Sequence, residues 1–239
     1  MGSLILCVLV PTSAMVLGGL VATLRQPGPG LRSLILHFAA GVVFSVVGVE
    51  LLPDIIKRHA LSEIVIGFTA GVVTMLVLRV MTRRVEERQV QSAARLPAGL
   101  LFGVAVDIAV DGLLLGIGFA SGSSVGTMLA IALSVELLAL GLATGASLRT
   151  QGISKRKTSL VIIGLASVFT LASIFGITIL RQVSGNNLEI VLSFGLAALL
   201  FLVTEELLVE AHEEKETPIH TATFFLGFLI LLILDLLGK

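Results

Sequence analysis

Uninterrupted apolar runs limit the fold of this chain more than any other feature of its sequence. Hydrophobic residues make up 56% of the 239 residues and charged residues 13%, whereas a soluble domain carries about 25% charged residues. Because a backbone in lipid must satisfy its own hydrogen bonds, runs of about 20 apolar residues cross a membrane as helices. The runs are continuous rather than alternating, which excludes a transmembrane barrel. They predict eight membrane helices, near residues 3–24, 33–53, 64–81, 97–120, 124–148, 159–180, 188–209 and 218–237.

The predicted architecture is an all-α integral membrane protein with a single transmembrane domain over residues 1–239. The first run is too long for a signal peptide and lacks a basic start, and Pro11 is expected to kink its helix without ending it. The single Cys7 excludes an internal disulfide, and a net charge of zero suggests no nucleic-acid partner. The lipid bilayer is the expected environment, and the small-residue helix faces leave a homodimer open.

Basic residues are divided unequally between the two sets of connections, which predicts an orientation. Twelve of the 16 Lys and Arg residues lie in the connections between predicted helices 1 and 2, 3 and 4, 5 and 6, and 7 and 8. Because Lys and Arg accumulate in cytoplasmic loops, we expect this set in the cytoplasm, both termini on the extracytoplasmic side, and the chain in the cell membrane. The 12 are Arg25, Arg32, Arg79, Arg83, Arg84, Arg88, Arg95, Arg149, Lys155, Arg156, Lys157 and Lys215; the other side holds Lys57, Arg58, Arg181 and Lys239.

The second and seventh predicted helices share a sequence pattern. A phenylalanine, Phe38 or Phe194, stands twelve positions before an acidic ending that begins at Glu50 or Glu206 and reads E-L-L-x-acid. The two helices run in opposite directions, so these endings lie on opposite membrane faces. Inverted repeats with a site at their interface are a common plan for transporters. We therefore predict an inverted repeat of helices 1–3 and 6–8 around helices 4 and 5.

Three carboxylates fall near the middle of predicted membrane helices. Asp107 and Asp111 lie on one face of the fourth helix, because they are four residues apart, and Glu136 lies in the fifth. A charge at the bilayer centre costs about 3 kcal/mol even on the mildest scale, so all three must face the protein interior. The sequence offers no mid-helix Lys or Arg to neutralise them, so bound protons or a bound cation must relieve their repulsion. A packing role stays open, although it suits one isolated acid better than three at matched depth.

Further polar residues lie toward the ends of the second and seventh helices. Glu50 forms part of either a cation funnel at the outer face or an ordinary interfacial charge. Glu206 is deep enough for an inner relay ligand, whereas the residues beyond it also fit solvated helix-end groups. A lone His37 is interpreted as interfacial, and His220 as part of a loop that either shuttles metal or is merely solvated. The predicted transport pathway comprises Glu50, Asp54, Glu205, Glu206, Glu210 and His212.

Three segments carry a family resemblance. The second helix reads HFAAGV and then ELLPD between His37 and Asp54, and the seventh reads LLFLVTEELLVEAHEE. The fourth reads Asp107-Ile-Ala-Val-Asp111-Gly, where the ZIP (Zrt/Irt-like) family of divalent-metal transporters has His-Asn-x-x-acid-Gly. The chain resembles this family over nearly its whole length, which implies eight helices, both termini outside and a mid-membrane metal site.

The resemblance also implies that this chain is a member with a single metal site. Asp107, Asp111 and Glu136 match one site of the family's two-metal arrangement. Zinc favours imidazole or thiolate ligands, whereas an all-oxygen set suits Mn²⁺ or Mg²⁺, with Fe²⁺ also open. The family resemblance keeps zinc first as the transported ion. The ligands of the second site are replaced here by Ile108, Leu137 and Leu140.

The predicted function is import of a divalent metal cation, with uptake that depends on pH because ligands lose protons to bind metal. The ion would enter past Glu50 and leave past Glu206 toward His212. An enzyme is not expected, since the sequence has no serine–histidine pairing, phosphate loop or HExxH motif. The alternative is a non-transporting metal sensor or scaffold that retains the fold, motivated by the missing second-site ligands. A small-molecule or proton-coupled transporter ranks third.

Overall fold

Long helices dominate the chain. The computed structural model describes residues 2–25, 28–58, 60–90, 97–180, 182–212 and 217–238, and within these ranges it contains eight long helices and no strand. The predicted all-α fold with eight membrane-length helices is thereby confirmed. The helices are α1 (Gly2–Leu24), α2 (Pro29–Val46, Val47–Leu51 and Leu52–Arg58), α3 (Leu61–Val90), α4 (Ala98–Ser121), α5 (Ser123–Thr150), α6 (Lys155–Leu180), α7 (Asn186–Phe201, Leu202–Leu207 and Leu208–Ala211) and α8 (Pro218–Gly238).

Each of these eight described helices is long and apolar enough to cross a membrane. Large apolar side chains cover the outside of the bundle; Leu171, for example, is 68% exposed. Lipid accommodates such a surface, whereas water would drive it to associate, so the chain is a multi-pass membrane protein. α1 continues through Pro11, as expected. Four basic residues used for the predicted orientation, Arg95, Arg181, Lys215 and Lys239, lie outside the described residues.

Glycines set the closest helix crossings. The most extensive packing joins α1 with α5, α4 with α6, α2 with α8 and α3 with α7. A Cβ atom on Gly18, Gly41 or Gly67 would overlap a backbone carbonyl oxygen of the partner helix, and Gly116 packs directly on Gly176. Small residues bring membrane helices into backbone contact in this way, because dispersion forces replace the hydrophobic effect between helices in lipid.

α2 and α7 share a local distortion. The backbone N–H of Leu52 donates to the carbonyl of Val47 in α2, and that of Leu208 donates to the carbonyl of Val203 in α7. These bonds span five residues and define one π-helical turn in each helix. Both turns fall on the repeated E-L-L pattern, at equivalent positions.

Ion pairs join α2 to α7 at both ends. Arg58 Nη1 donates to Glu189 Oε1 at 3.0 Å, and Arg32 Nη2 donates to Glu210 Oε1 at the opposite end. The end that contains Arg32 and Glu210 is named the His37 end, after the histidine one turn beyond Arg32. The end that contains Arg58 and Glu189 is named the Asp54 end. The two helices therefore lie antiparallel, which agrees with their predicted directions.

Candidate cation site

Five carboxylates from three helices line one cavity inside the bundle. Asp107 and Asp111 come from α4, Glu136 from α5, and Glu206 and Glu210 from α7, and the cavity has a volume of about 50 Å³. One water needs about 10–15 Å³, so this space accommodates an ion with a small number of waters. The three acids singled out in the sequence thus meet, and Glu206 and Glu210 join them. The remaining lining residues are Leu36, Leu140, Leu202 and Leu207.

Tight packing of α4 fixes the direction of its two aspartates. Gly122 alone connects α4 to α5, so these helices form a hairpin. Asp107 and Asp111 share one face of α4 because of their spacing. On the adjoining face, a Cβ atom at Gly112 would lie 2.8 Å from the carbonyl oxygen of Phe169 in α6. This close crossing holds α4 in the rotation that turns both carboxylates into the cavity.

Asp111 and Glu136 are deeply buried, with exposed fractions of 1% and 3%. Within the described part of the chain, both carboxylate oxygens of Asp111 and Oε2 of Glu136 have no hydrogen-bond partner. No described Lys or Arg lines the cavity. The carboxylates of Glu136, Asp107 and Glu206 line the same cavity and repel that of Asp111. Burial of an unpaired carboxylate costs several kcal/mol, so this arrangement demands a bound cation or bound protons.

A larger opening adjoins the cavity and shares two of its carboxylates. Asp107 and Glu206 also line a space of about 170 Å³, together with Arg79 and Thr82 of α3. Arg79 donates to the Glu205 carboxylate beside this opening. The apolar runs predict Arg79 in the 3–4 connection, whereas the structure places it within α3, where it contacts α7. The position of Arg79 near the end of an apolar run does not indicate this contact with Glu205.

Glu50 and Asp54 do not line the carboxylate cavity. Asp54 accepts a hydrogen bond from Ser121 Oγ at 2.7 Å and pairs with Arg58 at 3.2 Å. Glu50 accepts one from Ser124 Oγ at 3.4 Å. These two predicted pathway residues therefore form a separate polar group at the Asp54 end, close to the α4–α5 turn.

The inner pathway residues divide between the cavity and the His37 end. Glu206 and Glu210 line the cavity, and Glu210 also pairs with Arg32. Glu205 instead pairs with Arg79. His212 lies at the His37 end, where its ring centroid is 5.1 Å from that of His37.

The cavity offers oxygen donors around an open space rather than a closed coordination shell. Among the residues that the structure describes, no three His, Cys, Asp or Glu side chains are already arranged to hold a metal ion. Carboxylate donors favour hard or borderline divalent cations, which also take waters as ligands. The arrangement can bind such a cation reversibly or exchange protons.

Comparison with known proteins gives no assignment. The chain matches no protein-family model and no curated protein at a significant level.

Proposed function

We propose that this protein transports a divalent metal cation across the membrane into the cytoplasm, in the manner of the ZIP family that its sequence resembles. The observation that carries the proposal is the buried Asp111 carboxylate, which has no hydrogen-bond partner among the described residues and lies with four other acids in a cavity. One dication bound between Asp107, Asp111 and Glu136 would neutralise two of the three negative charges on these residues. Glu206 extends the donor set toward the His37 end.

A purely structural role fits these carboxylates poorly. Buried polar groups that stabilise a fold are hydrogen-bonded, and unpaired ones weaken it. The acids around this cavity also repel each other, which opposes folding unless a ligand binds. A cation that binds and leaves explains why the chain retains them, since ionisable groups at this depth are costly.

The lining of the cavity supports an inward-facing state. Its lining runs from Asp111 to Glu210, which pairs with Arg32 at the His37 end, and does not include Glu50. The predicted orientation places the His37 end in the cytoplasm. The cavity then faces inward, and an outward-facing state requires a rearrangement. The predicted inverted repeat offers one, in which helices 1–3 and 6–8 rock against α4 and α5. The paired crossings and matched π-helical turns support this repeat.

The transported ion is proposed as a class, the divalent metal cations, rather than as a single element. Zinc is proposed first because of the family resemblance, and the all-oxygen donors keep Mn²⁺, Fe²⁺ and Mg²⁺ as further candidates. Flux measured for each ion alone will rank them.

Reconstituted liposomes that contain a metal-sensitive dye test the proposal. We expect wild-type protein to take up zinc, manganese or iron faster than empty vesicles, and Asp111→Asn to reduce this rate to the empty-vesicle level. Glu63→Gln is the matched control, because it removes a carboxylate that contacts Ser62 and Asn186 at the Asp54 end. Equal rates for wild type, Asp111→Asn and empty vesicles would reject transport of these ions.

A second candidate is a metal sensor or scaffold that has lost transport. Ile108 and Leu137 are fully buried in the apolar core, and Leu140 lines the cavity, where the family pattern has ligands of a second site. Calorimetry on the purified protein, combined with flux measured in liposomes, distinguishes the candidates. Metal binding without flux favours the sensor, whereas proton flux without metal favours the proton-coupled alternative.

A further inference from the structure

Arg79 brings a fixed positive charge to the edge of the carboxylate site. Among the described residues, no other Lys or Arg lines either the cavity or the opening beside it. Arg79 lies about 27 Å along α3 from Leu61, because a helix rises 1.5 Å per residue. Arginines near the ends of membrane helices usually extend to water. The side chain of Arg79 is only 30% exposed and contacts α7 instead, so it serves an interaction within the protein.

Two contacts with α7 hold the Arg79 guanidinium in the described position. Nη1 donates to Oε2 of Glu205. One turn earlier in α7, the ring centroid of Phe201 lies 5.9 Å from the guanidinium carbon Cζ, a distance at which a cation is attracted to an aromatic face. A guanidinium carries five N–H donors on a planar fork, and the bond to Glu205 uses one of them.

The residue after Glu205 belongs to the carboxylate site. Glu205 and Glu206 are neighbours in the π-helical turn Leu202–Leu207, and Glu206 lines both the cavity and the opening. Arg79 lines the same opening as Glu206, and its charge attracts the Glu206 carboxylate. Consecutive Cα atoms are about 3.8 Å apart, so rotation about side-chain bonds is enough to move the guanidinium from one glutamate to the next.

We propose that Arg79 is a tethered cation that competes with the metal ion for the carboxylate site. Its guanidinium moves from Glu205 to Glu206 when the metal ion leaves, and it returns to Glu205 when the next ion binds. The described conformer, with Arg79 on Glu205, is the one that leaves the cavity to the metal ion. Arginine suits this role because it stays charged at any physiological pH and its fork matches the geometry of a carboxylate.

The tethered cation deepens the proposed function, on which its role in transport rests, because it regulates the same site. Several carboxylates around one dication bind it tightly, and a tightly bound ion leaves slowly. Departure of the ion would also leave buried carboxylates without a counterion, which is a costly state. A guanidinium that takes over part of this charge lowers that cost. Arg79 therefore speeds release of the ion and opposes its return.

Metal affinity of the full-length protein tests the tethered cation. Purified protein, with a tag that contains no histidine, is titrated in a calorimeter with zinc and separately with manganese. We expect Arg79→Gln to bind both ions roughly tenfold or more tightly than wild type, because a competing charge beside the site is gone. Arg79→Lys keeps the charge and should stay within about threefold of wild type. Arg83→Gln is the matched control, because it removes an exposed arginine one turn later in α3, and it should also stay within about threefold.

A double variant separates a mobile guanidinium from two fixed charges. Glu205→Gln alone should weaken metal binding roughly tenfold, because it frees Arg79 to pair with Glu206. The same change in the Arg79→Gln background should alter the affinity less than about threefold, since no guanidinium is left to release. Two fixed charges would instead give the same effect of Glu205→Gln in both backgrounds. The two side chains are 30% and 44% exposed, so neither variant leaves a fully buried partner behind.

Three outcomes would overturn the tethered cation: an unchanged affinity in Arg79→Gln, an equal effect of Glu205→Gln in both backgrounds, or a wild-type protein that binds neither ion. The proposed function fails differently, through wild-type flux equal to that of empty vesicles. Wild-type flux above that level, together with unchanged affinity in Arg79→Gln, would reject the tethered cation alone.

Discussion

α2 and α7 carry the same acidic pattern and the same π-helical turn, yet their glutamates have different surroundings. Glu206 of α7 lines a buried cavity with Asp107, Asp111 and Glu136, whereas Glu50 of α2 contacts Ser124 near the Asp54 end. Similar local sequence therefore gives similar local backbone but not the same site. The surroundings of the two glutamates differ because different helix segments pack against the two π-helical turns.

The presence of the same π-helical turn in both helices also limits the possible causes of the turn. Pro53 lacks an N–H and follows the turn in α2, but the equivalent residue of α7 is Val209, which has one. Proline is therefore not the common origin. Both turns instead coincide with an acidic residue, and π-helical turns are frequent at functional sites.

The largest expected difference between the two helices concerns transport. Glu206→Gln should lower metal uptake roughly 10- to 100-fold, because it removes a donor from the cavity. Glu50→Gln, the matched change in α2, should retain most of the wild-type rate. Uptake into reconstituted liposomes measures both. Equal losses in the two variants would show that α2 and α7 contribute equally to the rate-limiting step.

A smaller effect is expected from the helix crossings of α2 and α7. Gly41→Val in α2 and Gly67→Val in α3, which packs on α7, should each destabilise the protein by about 1–3 kcal/mol, because the new side chain overlaps a backbone carbonyl. Gly164→Val is the control, since nothing lies within 4 Å of a Cβ atom there. Unfolding of the purified variants in mixed micelles measures the loss. A stable Gly41→Val protein would contradict the described crossing.

An effect of the same size or smaller is expected from the ion pairs that join α2 to α7. Arg58→Gln should cost about 1–3 kcal/mol, because Glu189 is only 9% exposed and would lose its charged donor. Arg32→Gln should cost about 1 kcal/mol or less, since its pair with Glu210 is more exposed. The same unfolding assay ranks them, and the reverse order would show that the His37 end is the more tightly packed.

The sequence by itself determined the helices and the depth of three acids. Apolar runs of membrane length must become helices, because no water is present to satisfy their backbone. The spacing of Asp107 and Asp111 placed them on one face, and the cost of charge in lipid turned that face inward. The apolar run at 64–81 does not give the full extent of α3, because the helix begins at Leu61 and continues to Val90.

Tertiary structure alone decided which of the polar residues meet. Glu206, Arg79 and the histidines come from helices distant in the chain, and their local sequence is equally compatible with solvated helix ends. Close crossings at glycines determine which helix faces touch, because dispersion forces act only over short distances. Those crossings bring Glu206 to Asp107 and His37 to His212, while they leave Glu50 at the other end of the bundle.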